Sequence, residues 1–253
     1  MSSRRKTLAV FAAGAAAGAM PWPLRAVAAR PELVPTVAQT AGPFYPVDWN
    51  GDVDNDLVMV HGEAARALGQ VAHLRGRVLD HSGNSLAGSM LEIWQCDANG
   101  RYLHPADRGG ARRDAGFQGR GRTRADDHGR YAFRTIRPAP YPGRTPHIHF
   151  AIWGPDGSQL VTQLYVAGEP RNERDRLYNS IRDPRRRASV TVRFEPADRI
   201  EPGALVAEFD IVLERSGPIA GTPIVTITYQ ACTDTECLEP VTAELDVAID
   251  AAN

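Results

Sequence analysis

Pro146-His147-Ile148-His149-Phe150-Ala151-Ile152-Trp153 carries the plainest chemistry in this 253-residue chain. Residues two apart in a strand point the same way. His147 and His149 are therefore expected on one face, with Ile148, Phe150 and Ile152 on the other. Two imidazoles one strand repeat apart can reach a single metal ion, and neutral imidazole suits zinc, copper, iron and nickel. The same spacing also describes two histidines on a solvated strand face, and the pair alone does not separate the two readings. Two tyrosines stand nearby in interesting company. Tyr141 sits six residues before His147 in Pro138-Ala139-Pro140-Tyr141-Pro142, where the flanking prolines restrict the backbone. Tyr102 closes Trp94-Gln95-Cys96-Asp97-Ala98-Asn99-Gly100-Arg101-Tyr102, just past a strand and a turn. Taken singly, either tyrosine reads as packing.

The elements that must position these side chains are mostly strands. Short alternating runs are predicted at Leu74–Asp80, Met90–Gln95, Tyr131–Ile136, His147–Trp153, Leu160–Val166, Val190–Phe194 and Leu205–Leu213. Turn clusters such as His81-Ser82-Gly83-Asn84 and Gly154-Pro155-Asp156-Gly157 separate them. Strands at this regular spacing predict an all-β fold, an antiparallel β-sandwich with long irregular loops and one or two short helices. One helix is expected around Arg171–Ile181, where Leu177 and Ile181 lie four apart behind Pro170. Residues 29–70 are rich in Pro, Gly, Asp and Asn and predict a wrapped loop. Residues 104–124 and 137–146 resist a strand assignment, and long irregular segments in a compact domain are usually functional or disordered. Tyr102 and Tyr141 lie at the starts of these two stretches.

Composition bounds the rest. A content of 43% hydrophobic and 23% charged residues fits a soluble globular chain able to bury a full core. A formal net charge of −1 gives no nucleic-acid signal. Residues 1–28 read as an export signal. Ser3-Arg4-Arg5-Lys6-Thr7-Leu8 supplies a twin-arginine start, an Ala-rich apolar stretch follows to Met20, and Ala26-Val27-Ala28 offers a cleavage site. The stretch is shorter than the ~20 residues a membrane span needs, and Pro21 and Pro23 end it. No stable membrane anchor is expected, and the mature protein is expected in the periplasm or outside the cell. Removing residues 1–28 with their four basic side chains takes the formal charge from −1 to −5. In an oxidising compartment the close pair Cys232 and Cys237 is a disulfide candidate, leaving Cys96 over.

Taken together and in order, several segments resemble the intradiol ring-cleavage dioxygenases, the family of catechol and protocatechuate dioxygenases. They are Gln39-Thr40-Ala41-Gly42-Pro43-Phe44-Tyr45; Leu91-Glu92-Ile93-Trp94-Gln95 with Gly100-Arg101-Tyr102; and Asp127-His128-Gly129-Arg130-Tyr131-Ala132-Phe133-Arg134-Thr135. Pro140-Tyr141-Pro142, Arg144-Thr145-Pro146-His147-Ile148-His149-Phe150 and Thr162-Gln163-Leu164-Tyr165 complete the set. The match spans roughly residues 36–214. It implies a ferric ion held by Tyr102, Tyr141, His147 and His149, with Tyr102 and His149 equatorial and Tyr141 and His147 axial. It also implies that Tyr141 is the ligand a catechol displaces, and that Arg144 and Gln163 lie near the substrate. The implied reaction uses dioxygen to cleave a catechol-type ring between its hydroxylated carbons, giving a muconate-type diacid. The donor types agree with ferric iron. A phenol ordinarily ionises near pH 10, so a phenolate at neutral pH needs a strong local cation. Ferrous oxygenases use two histidines and a carboxylate instead.

Two features depart from the family pattern. Only five residues separate Tyr141 from His147, a short link where the substrate pocket is shaped. Residues 104–124 are rich in Gly and Arg. Arg112, Arg113, Arg120, Arg122 and Arg124 suit either an acidic substrate or a solvated loop. The expected organisation is a signal at 1–28, a dioxygenase domain at 29–214 and an extension at 215–253. In the extension Pro223–Tyr229 and Val241–Ile249 alternate like strands. The Cys232–Cys237 link resembles a piece of periplasmic thiol–disulfide interchange domains, too short for a domain, and a structural disulfide closing a hairpin is the preferred reading. The sequence leaves a homo-oligomer open.

Overall fold

The computed structural model describes residues 33–214 and the backbone of two further strands, 224–229 and 241–246. The expected export signal and the Cys232 and Cys237 pair lie outside the described residues. Alternation produces strands where it is clean. These are β1 (Val71–Asp80), β2 (Met90–Trp94), β3 (Arg120–Arg124), β4 (Arg130–Ile136), β5 (His147–Trp153) and β6 (Gln159–Val166). Four short strands follow: β7 (Thr191–Val192), β8 (Glu195–Pro196), β9 (Leu205–Glu208) and β10 (Ile211–Leu213). One sheet runs β3-β2-β5-β6-β7, the other β10-β1-β9-β8 with β4 on β1. Their facing side chains form one core around Leu74, Phe133, Ile148, Phe150, Ile152 and Phe209. The sandwich is as expected, and so is the apolar face of β5. Not every pair is antiparallel, however: β1 runs parallel to β9 and β10, and β6 runs parallel to β7.

The other differences have local causes. The run Leu205–Leu213 is split at Phe209-Asp210. The Phe209 carbonyl presses against Gly76, where a Cβ would lie 1.9 Å from its oxygen. Tyr131 donates to that oxygen at 2.6 Å, and the Asp210 carboxylate accepts the Arg77 N–H at 2.9 Å. A side chain thus replaces a backbone acceptor, and the ladder breaks for two residues. Strand β3 escaped notice because Arg-Gly-Arg-Thr-Arg has no apolar residue. Leu57 of the wrapped loop supplies it instead, lying where Gly121 would carry a side chain. The expected helix at 171–181 is interrupted by Asp175, which is extended (φ −80°, ψ 118°). It separates a 3-10 turn (Pro170–Arg174) from α1 (Arg176–Ser180), and α2 (Pro184–Ala188) follows with Asp183 as N-cap. In the extension, β11 (Ile224–Tyr229) and β12 (Val241–Asp246) pair antiparallel, as their alternation predicts.

The wrapped loop ties the layers together. Thr36 N–H donates to Val212 O of β10 at 3.0 Å, and Gln39 N–H donates to Val161 O of β6 at 2.8 Å. Among the described residues no helix is long and apolar enough to cross a membrane. A carboxylate cluster holds the outer face of the β1–β4 pair. Arg134 donates to Glu201 through Nη2 at 2.7 Å and Nε at 2.9 Å, and to Asp56 at 3.0 Å. Those bonds hold the Glu201 carboxyl down at about 2. A carboxyl depressed in the folded state stabilises above its unfolded value and loses that contribution as pH falls through its folded value. Glu201→Gln is therefore expected to cost about 1 kcal/mol near pH 7. Urea melts should show the gap to wild type closing between pH 4.5 and pH 2; a gap independent of pH would refute the assignment.

Candidate metal centre

Register builds the site. Across the sheet Trp94, His149 and Gln163 are direct neighbours on β2, β5 and β6, and Tyr165 faces His147. His147 and His149 project from the face away from Ile148 and Phe150 and are 1% and 2% exposed. Their Nε2 atoms lie 3.1 Å apart. The Thr145 carbonyl accepts from His147 Nδ1 at 2.6 Å, which leaves Nε2 with its lone pair. Burial first, and the Arg144 charge second, push His147 down to about 3. Burial and His147 push His149 well below the usual imidazole range. Both rings are thus neutral at physiological pH and available as ligands.

Two turns deliver the tyrosines. The Asp97 carboxylate accepts the N–H groups of Asn99, Arg101 and Asp114 at 2.7–3.0 Å, closing the turn after β2. Gly100 has φ +74°, and a Cβ there would lie 2.9 Å from Pro140 O. Glycine therefore lets this turn press against the segment that carries Tyr141. Asp107 then accepts the Tyr102 N–H at 2.6 Å. Tyr141-Pro142-Gly143-Arg144 is itself a tight turn, with Arg144 N–H on Tyr141 O at 3.0 Å and Gly143 at φ +80°. The two phenol rings meet edge-on at 5.4 Å, and Tyr102 Oη lies 3.4 Å from His147 Nε2. Burial and then Tyr141 push the Tyr102 phenol well above its ordinary value. Without a cation these phenols keep their protons.

The sequence-predicted residues therefore converge: buried Tyr102, His147 and His149 and half-buried Tyr141 in one cluster, with Arg144 and Gln163 against it. Arg144 is held on three sides. Its Nε donates to Asp175 at 2.8 Å, Nη2 to Gln163 Oε1 at 2.6 Å, and Nη1 to Tyr141 Oη at 3.5 Å. Asp175 has no exposed side-chain surface and also accepts the Thr145 and Tyr178 N–H groups. The donor set fits a metal ion. His149 Nδ1 is buried with no hydrogen-bond partner, and its Nε2 meets only the Nε2 of His147 and not a fixed acceptor; an ion between the rings would take a lone pair from each. Two ligands at right angles with bonds of ~2.1 Å lie ~3.0 Å apart, close to the spacing here. Among the described residues no cluster of three or more His, Cys, Asp or Glu is placed to hold a metal. The remaining donors at hand are the phenols, and phenolate oxygens select a hard, highly charged ion.

Sequence reading missed Asp175, 31 residues from the arginine it fixes, because no local pattern links them. It also missed the supports of His149, which stacks on Trp94 at 4.8 Å and 7°. Gly42 lies against the same ring: a Cβ there would sit 3.3 Å from His149 Cε1, at φ +71°. Gly42→Ala is expected to cost about 1–2 kcal/mol from the left-handed backbone alone. It should also displace the imidazole, so that metal affinity falls as well. Titration of the metal-free protein with ferric iron checks this, and unchanged affinity would show that the ring has room. The arginines of residues 104–124 are partly committed elsewhere. Arg120 is buried and bonds Asp48 and Asn50 O, Arg122 pairs with Glu92, and Arg124 bonds Gly88 O. Cys96 is a free, buried thiol that burial pushes up to about 12, an unreactive position.

A family model described as a dioxygenase matches residues 40–215. The protocatechuate 3,4-dioxygenase beta chain of Burkholderia cepacia is 38% identical over 68% of this chain and 76% of its own length. Catechol 1,2-dioxygenase of Candida albicans is 33% identical over 49% of this chain, which spans 44% of that protein. Among solved structures, the dioxygenase domain of a dioxygenase–carbohydrate-binding protein fusion from Streptomyces sp. SirexAA-E is 31% identical. Its TM-score is 0.55, covering 72% of this chain and 100% of that one. Strand order, the convergent tyrosines and histidines, and these likenesses agree: the chain belongs to the intradiol ring-cleavage dioxygenases, non-haem ferric enzymes that open catechol-type rings between the hydroxylated carbons.

Proposed function

We propose that this protein holds its ferric ion through Tyr102, Tyr141, His147 and His149, and that Arg144 and Gln163 manage charge beside the substrate. The observation that carries this reading is the convergence of two neutral Nε2 atoms 3.1 Å apart with the buried phenol of Tyr102 and the half-buried phenol of Tyr141. When bound, the ion supplies Lewis acidity and a template for a catechol and dioxygen. The chain's own part is positional and electrostatic. Thr145 O fixes the His147 tautomer, and Trp94 and Gly42 fix the plane of His149. Arg144 Nη1 faces the Tyr141 oxygen, so the guanidinium favours negative charge there, and Asp175 and Gln163 keep the fork aimed. Burial keeps water from the histidines and from Tyr102. The short link Pro142–Pro146 leaves Tyr141 and Arg144 joined by one turn, which makes phenol and guanidinium a single rigid unit.

The test is a purified, iron-loaded protein. A visible tyrosinate charge-transfer band that shifts on adding a catechol is expected. So is conversion of at least one of catechol, protocatechuate and hydroxyquinol to a ring-opened diacid. A colourless protein that binds no iron would overturn the ligand set.

A further inference from the structure

Beside the centre runs a file of rings whose capacity to be oxidised has no part in ring cleavage. Trp94 lies on His149 with centroids 4.8 Å apart, and Tyr45 meets Trp94 edge-on at 4.9 Å. Trp49 follows at 6.2 Å and is half-buried. The Tyr45 hydroxyl donates to Glu92 Oε2 at 2.8 Å. Glu92 is itself only 5% exposed and receives Arg122 Nε on its other oxygen at 2.9 Å.

We propose that Trp94, Tyr45 and Trp49 form an escape route that carries oxidising equivalents from the metal centre to the surface, with Glu92 accepting the Tyr45 proton. This rests on the reading that a ferric ion occupies the centre. Electron transfer between rings falls steeply with the gap, so contacts of this kind are the ones that conduct. A phenol gives up an electron readily only if its proton leaves at the same time, and a carboxylate already bonded to that proton meets the need. A second file, His147–Tyr165–Tyr178, has similar spacings of 6.1 and 4.9 Å. There Tyr165 donates to the amide oxygen of Gln163 and Tyr178 meets the Thr191 hydroxyl. Neither acceptor can keep a proton, so the geometry favours the Glu92 branch.

The oxidant is hydrogen peroxide, the two-electron reduction product of dioxygen. Reduced by this route in the loaded protein, it would take two electrons from the rings and two protons from solvent and leave as two waters. Each electron passes through Trp94 from Tyr45, whose phenol proton goes to Glu92. A catechol in solution reduces the Tyr45 radical through Trp49 and becomes a semiquinone. Over two turns two catechols each lose one electron and one proton, and Glu92 ends as it began.

Iron-loaded protein showing the tyrosinate band is treated with limiting peroxide without catechol, then digested and mapped by mass spectrometry. Oxygen adducts are expected at Trp49 and Tyr45 in wild type and not in iron-free protein. Tyr45→Phe keeps the ring but has no phenol proton to release, and Glu92→Gln keeps the shape but cannot accept one. In both, the Trp49 adducts should be lost, adducts should move to Trp94 and His149, and the band should bleach faster. Trp49 adducts that persist in either variant, or arise without iron, overturn the route. A loaded wild type with the band but an unmodified Trp49 overturns the route alone; a wild type without the band overturns the metal reading and the route with it.

Discussion

Tyr102→Phe in the iron-loaded protein is expected to weaken the visible band, lower iron content and remove ring cleavage. The substitution deletes one oxygen and keeps a ring that stacks on Phe44 at 4.7 Å, so the fold should hold. What disappears is an anionic donor whose charge helps neutralise a trivalent ion. The effect should exceed the ~10–100-fold loss in metal affinity typical when an outer-shell partner is removed. Tyr141→Phe should also weaken the band, because its oxygen faces the same buried cluster and Arg144. Iron analysis, the visible spectrum and turnover of a catechol give the answer. Unchanged spectra in both variants would refute the ligand assignment whatever the activity.

Arg144→Met is expected to lower kcat by ~10²–10³, the range seen when one preorganised donor to developing negative charge is removed. Arg144→Lys should not rescue it, since one ammonium cannot meet Asp175, Gln163 and Tyr141 together. Stability supplies an independent readout. Burial would raise Asp175, but Arg144 and two backbone N–H groups outweigh it and hold the carboxyl low. Removing Arg144 strands that buried charge, at a cost of about 3–5 kcal/mol near neutral pH. With the arginine gone, only the two backbone N–H groups still oppose burial, and Asp175 is expected to rise above its unfolded value. The variant then takes up a proton on acidification, and its deficit against wild type should shrink between pH 7 and pH 4. Adding Asp175→Asn to Arg144→Met should recover stability but not turnover. A deficit that does not change with pH would show that Arg144 acts on stability without Asp175.

Period-two alternation was enough to place β1, β2, β4, β5 and β6, and therefore to put His147 and His149 on one face with Ile148 and Phe150 behind them. Those facts are local: a strand's pleat sets the direction of each side chain. The ordered segments from Gln39 to Tyr165 were enough to name the family. What stayed illegible was whatever one segment supplies to another. Strand β3 hid because Leu57, 64 residues before Gly121, fills its core position. The break at Phe209-Asp210 depended on Gly76 and Tyr131. At the centre, local order proposed four ligands, yet each tyrosine alone read as packing. Tertiary structure decided that they meet, because Gly100 admits the Pro140 carbonyl and brings the two turns together. It also decided how the site is tuned, through Asp175 on Arg144, Trp94 and Gly42 on His149, and Thr145 O on His147. Donor identity is written in residue types, whereas donor geometry and acidity arise from burial and from partners distant in the chain.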